Sequence, residues 1–182
     1  MSASAFTIIF IGFLAITIIV RCWLAIRQIH AIKAHYHAVP EQFSAAISLQ
    51  AHQKAGNYTA TKQRFGFLSL FIDTAVLLGF TLGGGIQKIN DILTFWLGHG
   101  IITQIALAIA IFFISSIISL PIDYYRQFVI EAKFGFNKMS RKLFFIDLVK
   151  NTLISLIIGI PLLWALLITM EKMGQFWWLY VW

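Results

Sequence analysis

The sequence predicts an all-α membrane protein with four transmembrane helices, the start of a fifth, and amphipathic helices on the cytoplasmic side. Of its 182 residues, 59% are hydrophobic and only 12% are charged, and the mean hydropathy is +0.82. Soluble domains have roughly 45–50% apolar and about 25% charged residues, so that class is excluded. Each of four apolar stretches is close in length to the about 20 helical residues that are needed to cross a ~30 Å hydrocarbon core.

The four predicted spans cover approximately residues 3–23, 65–86, 101–120 and 151–170, within a single membrane domain of residues 1–182. The first span is predicted to be an uncleaved anchor, because no basic residue precedes it and one follows it directly. The second span finishes in a glycine triplet, and a proline closes the third. A proline at the middle of the fourth predicts a kink there.

Basic residues predict the orientation. Two groups account for twelve of the fourteen Lys and Arg, and their members are Arg21, Arg27, Lys33, Lys54, Lys62 and Arg64, followed by Arg126, Lys133, Lys138, Arg141, Lys142 and Lys150. The first group lies between spans one and two, and the second group between spans three and four. The positive-inside rule therefore places residues 24–64 and 121–150 in the cytoplasm and the N-terminus outside. Bases that flank apolar runs also argue against nucleic acid as a partner.

Residues 24–64 carry two helical patterns. The first helix continues out of the membrane to about Tyr36, and Pro40 is expected to end it and to open the next helix. Gly56-Asn57 is expected to break that second helix.

Residues 121–150 predict an amphipathic helix from Pro121 to about Lys133, followed by a turn at Gly135. Asn137 or Ser140 would then cap the next helix. At the end of the chain, residues 176–182 hold five aromatic side chains, which is typical of an interfacial belt or of the first turns of another span. That apolar run is too short to cross a bilayer, which suggests a truncated chain.

No metal site is predicted from the residues. His30, His35 and His37 lie within eight residues of one another, but spacings of five and two do not align them on one helical face, so interfacial polar roles are favoured. Cys22 is the only cysteine, which excludes an internal disulfide and a cysteine-built zinc site.

Asp73 is the intramembrane polar residue, about two turns into the second span and roughly 12 Å along its axis. It could line a cavity, relay protons, or pair with Arg64, Lys150 or Arg21. A structural ion pair or a water-satisfied acid is the favoured interpretation. Gly79 and Gly83 form a G-x-x-x-G, which allows close approach of helices.

The chain contains no H-E-x-x-H, no G-x-S-x-G and no Walker-type glycine loop. The residues alone therefore show no enzyme, and they leave open a transporter that uses Asp73, for which Asp73→Asn should abolish ion-dependent flux. They equally leave open an assembly or scaffold protein that uses Gly79, Gly83 and the amphipathic helices.

Two strings carry a family resemblance: H-Q-K-A-G-N-Y-T-A-T-K from His52 to Lys62, and L-P-I-D-Y-Y-R-Q-F-V-I-E-A-K-F-G-F-N-K from Leu120 to Lys138. With F-I-D-L-V-K-N at residues 145–151 and the aromatic end of the chain, they resemble the N-terminal membrane region of integral-membrane zinc metalloproteases of the CAAX prenyl protease type, which are H-E-x-x-H gluzincins. Ala132 and Asn57 depart from the family, which commonly has acids there.

The resemblance implies chamber walls, substrate access and a docking surface for a catalytic zinc domain that this chain lacks. Zinc is thus implied for a full-length protein only, no catalytic or metal-binding residue is carried over, and the chain alone is expected to be inactive. The implied partners are the lipid bilayer, the zinc domain and a peptide or membrane-protein substrate, in a bacterial inner membrane or the endoplasmic reticulum. The expected docking or structural residues are Glu131, Lys133, Phe134, Gly135, Asn137, His52, Lys54, Tyr58 and Asp123.

Overall fold

The computed structural model describes residues 2–182 and is all-α, without a strand in that range. Its helices are α1 (Ala3–Ala34), α2 (Leu49–Phe80), α3 (Gly85–Leu97), α4 (Ile101–Tyr125), a π-helical segment (Arg126–Glu131), α5 (Arg141–Met173) and α6 (Trp177–Val181), with 3₁₀ turns at Glu41–Phe43 and Gly174–Phe176. The predicted fold class is confirmed.

Four helical segments are long and apolar enough to cross a membrane: Ala3–Ala34, Leu49–Phe80, Ile101–Glu131 and Arg141–Val181. Large apolar side chains along them are exposed, which water would penalise and a bilayer would favour. The chain is therefore an integral membrane protein.

The chain divides into two compact units. The first runs up to Ala75 and includes Phe128–Phe136, and the second comprises Val76–Gln127 and Asn137–Trp182.

In the first unit, α1 and α2 run antiparallel and meet through side chains. Gln63 donates a hydrogen bond to Gln28 at 2.6 Å. Nearer the end of α1, a Cβ on Gly56 would lie 3.1 Å from Ile32 Cγ2. Ile32 therefore packs closely against Gly56, and a larger residue there would require the Ile32 side chain to move slightly. The predicted break at Gly56-Asn57 is wrong because α2 is continuous there. A helical glycine costs only about 1 kcal/mol relative to alanine, and this one serves a close contact.

The end of α1 is also set differently from the prediction. The helix ends at Ala34, where the backbone N–H and the Nδ1 of His35 both lie within hydrogen-bonding distance of the Ala31 carbonyl. Pro40 lies beyond that end and opens the 3₁₀ turn Glu41–Phe43, so it does not stop α1.

In the second unit, the structure contains a helix that the sequence analysis missed, α3, which packs against α4. Gly98 and Gly100, with φ of 74° and 152°, form the turn between the two helices. The second predicted span was too long: α2 ends at Phe80, and Gly83 lies in the following turn. Gly79 and Gly83 therefore do not form a helical G-x-x-x-G.

The third predicted span is longer than expected, because α4 continues through Pro121 and into the π-helical segment. A proline removes one backbone donor, and a π-helix widens the turn that follows. The predicted turn at Gly135 is confirmed by its φ of 76°. Ser140, and not Asn137, caps α5 by accepting from the Leu143 N–H at 3.2 Å, and α5 continues through Pro161.

The two glycines around the end of α2 form a matched pair for mutation. A Cβ on Gly83 would lie 2.7 Å from the Gly79 carbonyl oxygen, whereas a Cβ on Gly79 has nothing within 4 Å. We expect Gly83→Ala to lower the thermal midpoint of the purified protein by several degrees, because the contact is with backbone, and Gly79→Ala to leave it unchanged or to raise it. Equal damage from both would restore the G-x-x-x-G interpretation.

Candidate functional site

Long-range polar and aromatic side-chain contacts join six residues into the Tyr58 cluster, defined as Lys54, Tyr58, Lys62, Glu131, Phe134 and Phe136. Its first three members repeat every four residues, so α2 presents them on one face. The other three follow one another closely at the end of the π-helical segment and in the turn after it.

Glu131 anchors the cluster through a relay of two hydrogen bonds. The Tyr58 hydroxyl donates to Glu131 Oε1 at 2.6 Å, and Lys62 Nζ donates to the same hydroxyl at 3.1 Å. Lys62 Nζ also lies 3.9 Å from Glu131 Oε1, and the Glu131 side chain is 17% exposed against 46% for Lys62. A carboxylate so far removed from water needs charge-assisted partners, and these two residues provide them.

Aromatic contacts surround this relay. The Tyr58 ring lies 5.4 Å from Phe134 at 67° and 4.7 Å from Phe136 at 60°, the tilted and edge geometries that aromatic pairs prefer. Phe134 is 8% exposed and Phe136 is 51% exposed. The left-handed conformation of Gly135 between them reverses the chain, and the Phe136 N–H returns to the Glu131 carbonyl at 2.9 Å.

Two lysines lie over the rings on the exposed side. Lys54 Nζ is 5.5 Å from the centre of the Phe136 ring, and Lys133 Nζ is 5.8 Å from that of Phe134. Both lysines are exposed. The cluster therefore has an interior of Glu131, Tyr58 and Phe134. Its outer face, together with the neighbouring Lys133, is basic and aromatic.

Three of the expected docking residues lie apart from the cluster. His52 Nε2 is 2.9 Å from the His35 carbonyl and joins α2 to the end of α1. Asn137 Oδ1 accepts from Gln127 Nε2 and from the Met139 N–H, both at 2.8 Å, within the second unit. Asp123 forms an exposed ion pair with Arg126 at 3.5 Å.

The sequence analysis did not single out Lys62 and Phe136 as docking or structural residues. The sequence spacing was sufficient to place Lys62 beside Tyr58, because Lys62 follows it by one helical turn on the same face. The position of Phe136 depends on the turn at Gly135, whose geometry the sequence leaves open.

Asp73 and Arg21, one of its three expected partners, line the same cavity of about 300 Å³ between α1 and α2. Within residues 2–182, however, Asp73 forms no ion pair with Arg21 or Arg64 at 4 Å or less, and Lys150 belongs to the second unit. Asp73 thus lies beside a cavity and forms no direct ion pair with Arg21 or Arg64 among the described residues.

The part of the chain that the structure describes contains no group of three or more His, Cys, Asp or Glu side chains placed to hold a metal ion. The zinc that the resemblance implies therefore has no ligand set among these residues.

Comparisons with known proteins agree with this architecture. The family model described as CAAX prenyl protease N-terminal, five membrane helices, matches residues 28–182. The CAAX prenyl protease 1 homologs of Arabidopsis thaliana and Oryza sativa are 28% and 29% identical to this chain over 94% and 93% of its length. The alignments cover 42% and 41% of those relatives, so the chain spans about two fifths of their length.

A solved structure is also similar. The crystal structure of S. mikatae Ste24p superimposes with a TM-score of 0.84 and 25% sequence identity, over 93% of this chain and 40% of that one.

The relay predicts the effect of removing one oxygen atom. Tyr58→Phe keeps the ring contacts but takes the donor from Glu131, and a hydrogen bond to a charged group is worth about 1.5–3 kcal/mol. We expect a lower thermal midpoint in detergent, with little change in helix content. Tyr180→Phe is the matched control, because Tyr180 is exposed on α6. Equal midpoints for Tyr58→Phe and the control would show that the relay contributes nothing to stability.

Proposed function

The chain belongs to the CAAX prenyl protease family, whose N-terminal membrane region it matches, and from that premise we propose that it forms chamber walls, gives substrate access and docks a catalytic zinc domain. The substrate would be a peptide or a membrane protein. Any zinc chemistry would belong to the docked domain.

The Tyr58 cluster is the observation that carries the docking role. In its interior, the Glu131 carboxylate has a hydrogen bond from Tyr58 and a nearby ammonium on Lys62, and the Phe134 ring is buried. Its outer face remains available, with Phe136 half exposed and Lys54 and Lys133 beside the two phenylalanine rings. An exposed aromatic residue flanked by basic side chains suits a partner that offers an apolar pocket with acidic residues at its rim.

The wall role is supported by the four apolar helical segments and by their likeness to the Ste24p structure. The helices expose large apolar side chains on several faces, so they can contact lipid on one side and other helices or substrate on another. The family relationship does not favour the scaffold interpretation. That interpretation used Gly79, Gly83 and the amphipathic helices, and Gly83 lies outside α2, so the glycine motif no longer supports it.

The proposed orientation places the Tyr58 cluster on the cytoplasmic side. Residues 24–64 and 121–150 hold most of the bases, and they contain all six members of the cluster. Contacts from residues of α2 to residues of the segment after α4 are consistent with one side of the membrane for both.

This orientation predicts the outcome of a cysteine-labelling scan in a Cys22→Ser background. Lys54→Cys and Lys138→Cys should react with an impermeant thiol reagent only after the membrane is opened. Lys88→Cys, in α3, should react in intact cells or sealed vesicles. Labelling of positions 54 and 138 from the outside would overturn the orientation.

Photo-crosslinking tests the docking role in the native membrane. A benzophenone amino acid in place of Phe136 should crosslink to a polypeptide segment within or next to an H-E-x-x-H zinc domain, identified by mass spectrometry. The same replacement at Phe95, which is 81% exposed on α3, is the control and should not capture that domain. Crosslinks from position 136 to lipid alone would contradict the docking proposal.

A further inference from the structure

The helix α3 is too short to cross a membrane, yet it connects two helices that are long enough to do so. Its 13 residues extend over about 20 Å, against a ~30 Å hydrocarbon core. It follows the end of α2 and precedes the start of α4, which are both candidate spans. Because α3 does not cross the membrane, both of its ends lie at the same membrane surface.

Contacts at the two turns hold α3 in place. In the turn before it, the Gly83 N–H donates to the Leu78 carbonyl at 2.7 Å. In the turn after it, the hydroxyl of Thr103 donates to the Gly98 carbonyl at 2.5 Å, and Thr103 is only 4% exposed. The helix also packs against α4. Its faces are therefore fixed relative to the span that follows.

Exposure divides α3 into three faces. The packed face consists of the half-buried residues of the helix, which are Ile89, Asn90, Leu93 and Thr94. The polar face contains Gln87 and Asp91, which are exposed and joined by a hydrogen bond of 2.6 Å. The third face is the apolar edge, defined as Ile92, Phe95 and Trp96, whose spacings of three and four residues place them on one side of the helix.

The apolar edge is highly exposed and largely aromatic. Ile92, Phe95 and Trp96 are 60%, 81% and 77% exposed, and the two aromatic rings meet edge to face at 5.5 Å. Water penalises such a surface. Tryptophan is enriched where membrane meets water, because its ring is apolar and its N–H can donate to a headgroup. An amphipathic helix of this kind at a membrane surface suits the interfacial region of a bilayer.

We propose that α3 is an interfacial helix whose apolar edge inserts into the adjacent lipid leaflet, at the level of the headgroups and the first acyl carbons. The polar face then contacts water. Ile102, in the first turn of α4, is 72% exposed, so large apolar side chains are exposed both on α3 and at the start of the span. Lys88 precedes Ile92 by one helical turn and is exposed, which lets its ammonium extend to lipid phosphates. The inference depends neither on the proposed orientation nor on the docking of a zinc domain.

Spin labelling of the full chain in phosphatidylcholine nanodiscs tests the proposal. Each member of the apolar edge is replaced by cysteine in a Cys22→Ser background and labelled with a nitroxide. Collisions are then measured with oxygen, which concentrates in hydrocarbon, and with a water-soluble nickel chelate. We expect the ratio of oxygen to chelate accessibility to be several-fold higher along the apolar edge than at Gln87→Cys and Asp91→Cys. Leu93→Cys, on the packed face, should show few collisions with either reagent.

Tryptophan fluorescence provides a second measurement that needs no label on the edge. Lipids brominated on shallow acyl carbons should quench a component of the emission that disappears in Trp96→Phe. Trp164→Phe is the matched control, because Trp164 is 53% exposed and lies near the middle of the fourth predicted span. The component that this control removes should be quenched more strongly by lipids brominated on deep acyl carbons.

Two outcomes would overturn the proposal. Chelate accessibility along the apolar edge equal to that of the polar face would show that the edge faces water. Few collisions with both reagents along the apolar edge, together with no shallow quenching of Trp96, would show that another polypeptide segment covers it. The labelled variants are compared at the thermal midpoint of the Cys22→Ser protein, so that a change of exposure is not caused by unfolding.

Discussion

The hydrogen bond from Tyr58 to Glu131 joins residues 73 positions apart in the sequence and fixes the segment after α4 against α2. Because Glu131 lies at the end of a π-helical segment, the wider turn there sets where its carboxylate points. The backbone carbonyl of the same residue accepts from the Phe136 N–H and closes the Gly135 turn, which leaves Phe134 buried and Phe136 exposed. The proposed docking surface therefore depends on one satisfied acid.

The sequence was sufficient for the membrane class and the four apolar segments, because the bilayer leaves few alternatives to helices with satisfied backbone groups. Breaks were harder to predict, since local signals are ambiguous where tertiary contacts decide. Gly56 looked like a helix breaker and is a packing position for Ile32. Gly83 looked like part of a helical motif and lies past the end of α2, where the backbone of Gly79 leaves no space for a side chain.

The residues of the site were only partly predictable, because tertiary contacts also decide which of them meet. The F-V-I-E-A-K-F-G-F-N string directed attention to Glu131 and Phe134, and both lie at the centre of the contacts. Asn137 belongs to the same string but serves the local turn, where its side chain accepts from Gln127. Periodicity indicates which residues share a helix, but it does not indicate which way a side chain faces after a turn. Glu131 and Phe134 contact Tyr58, whereas Asn137 contacts Gln127.

The two acids, Glu131 and Asp73, differ in what they contribute to the fold. Glu131 is largely buried and has a hydrogen bond and a nearby ammonium, so its charge is neutralised by the chain itself. Asp73 shares a cavity with an arginine at membrane depth, yet neither contacts the other. Asp73 therefore adds no side-chain contact between α1 and α2, whereas Glu131 holds the segment after α4 against α2.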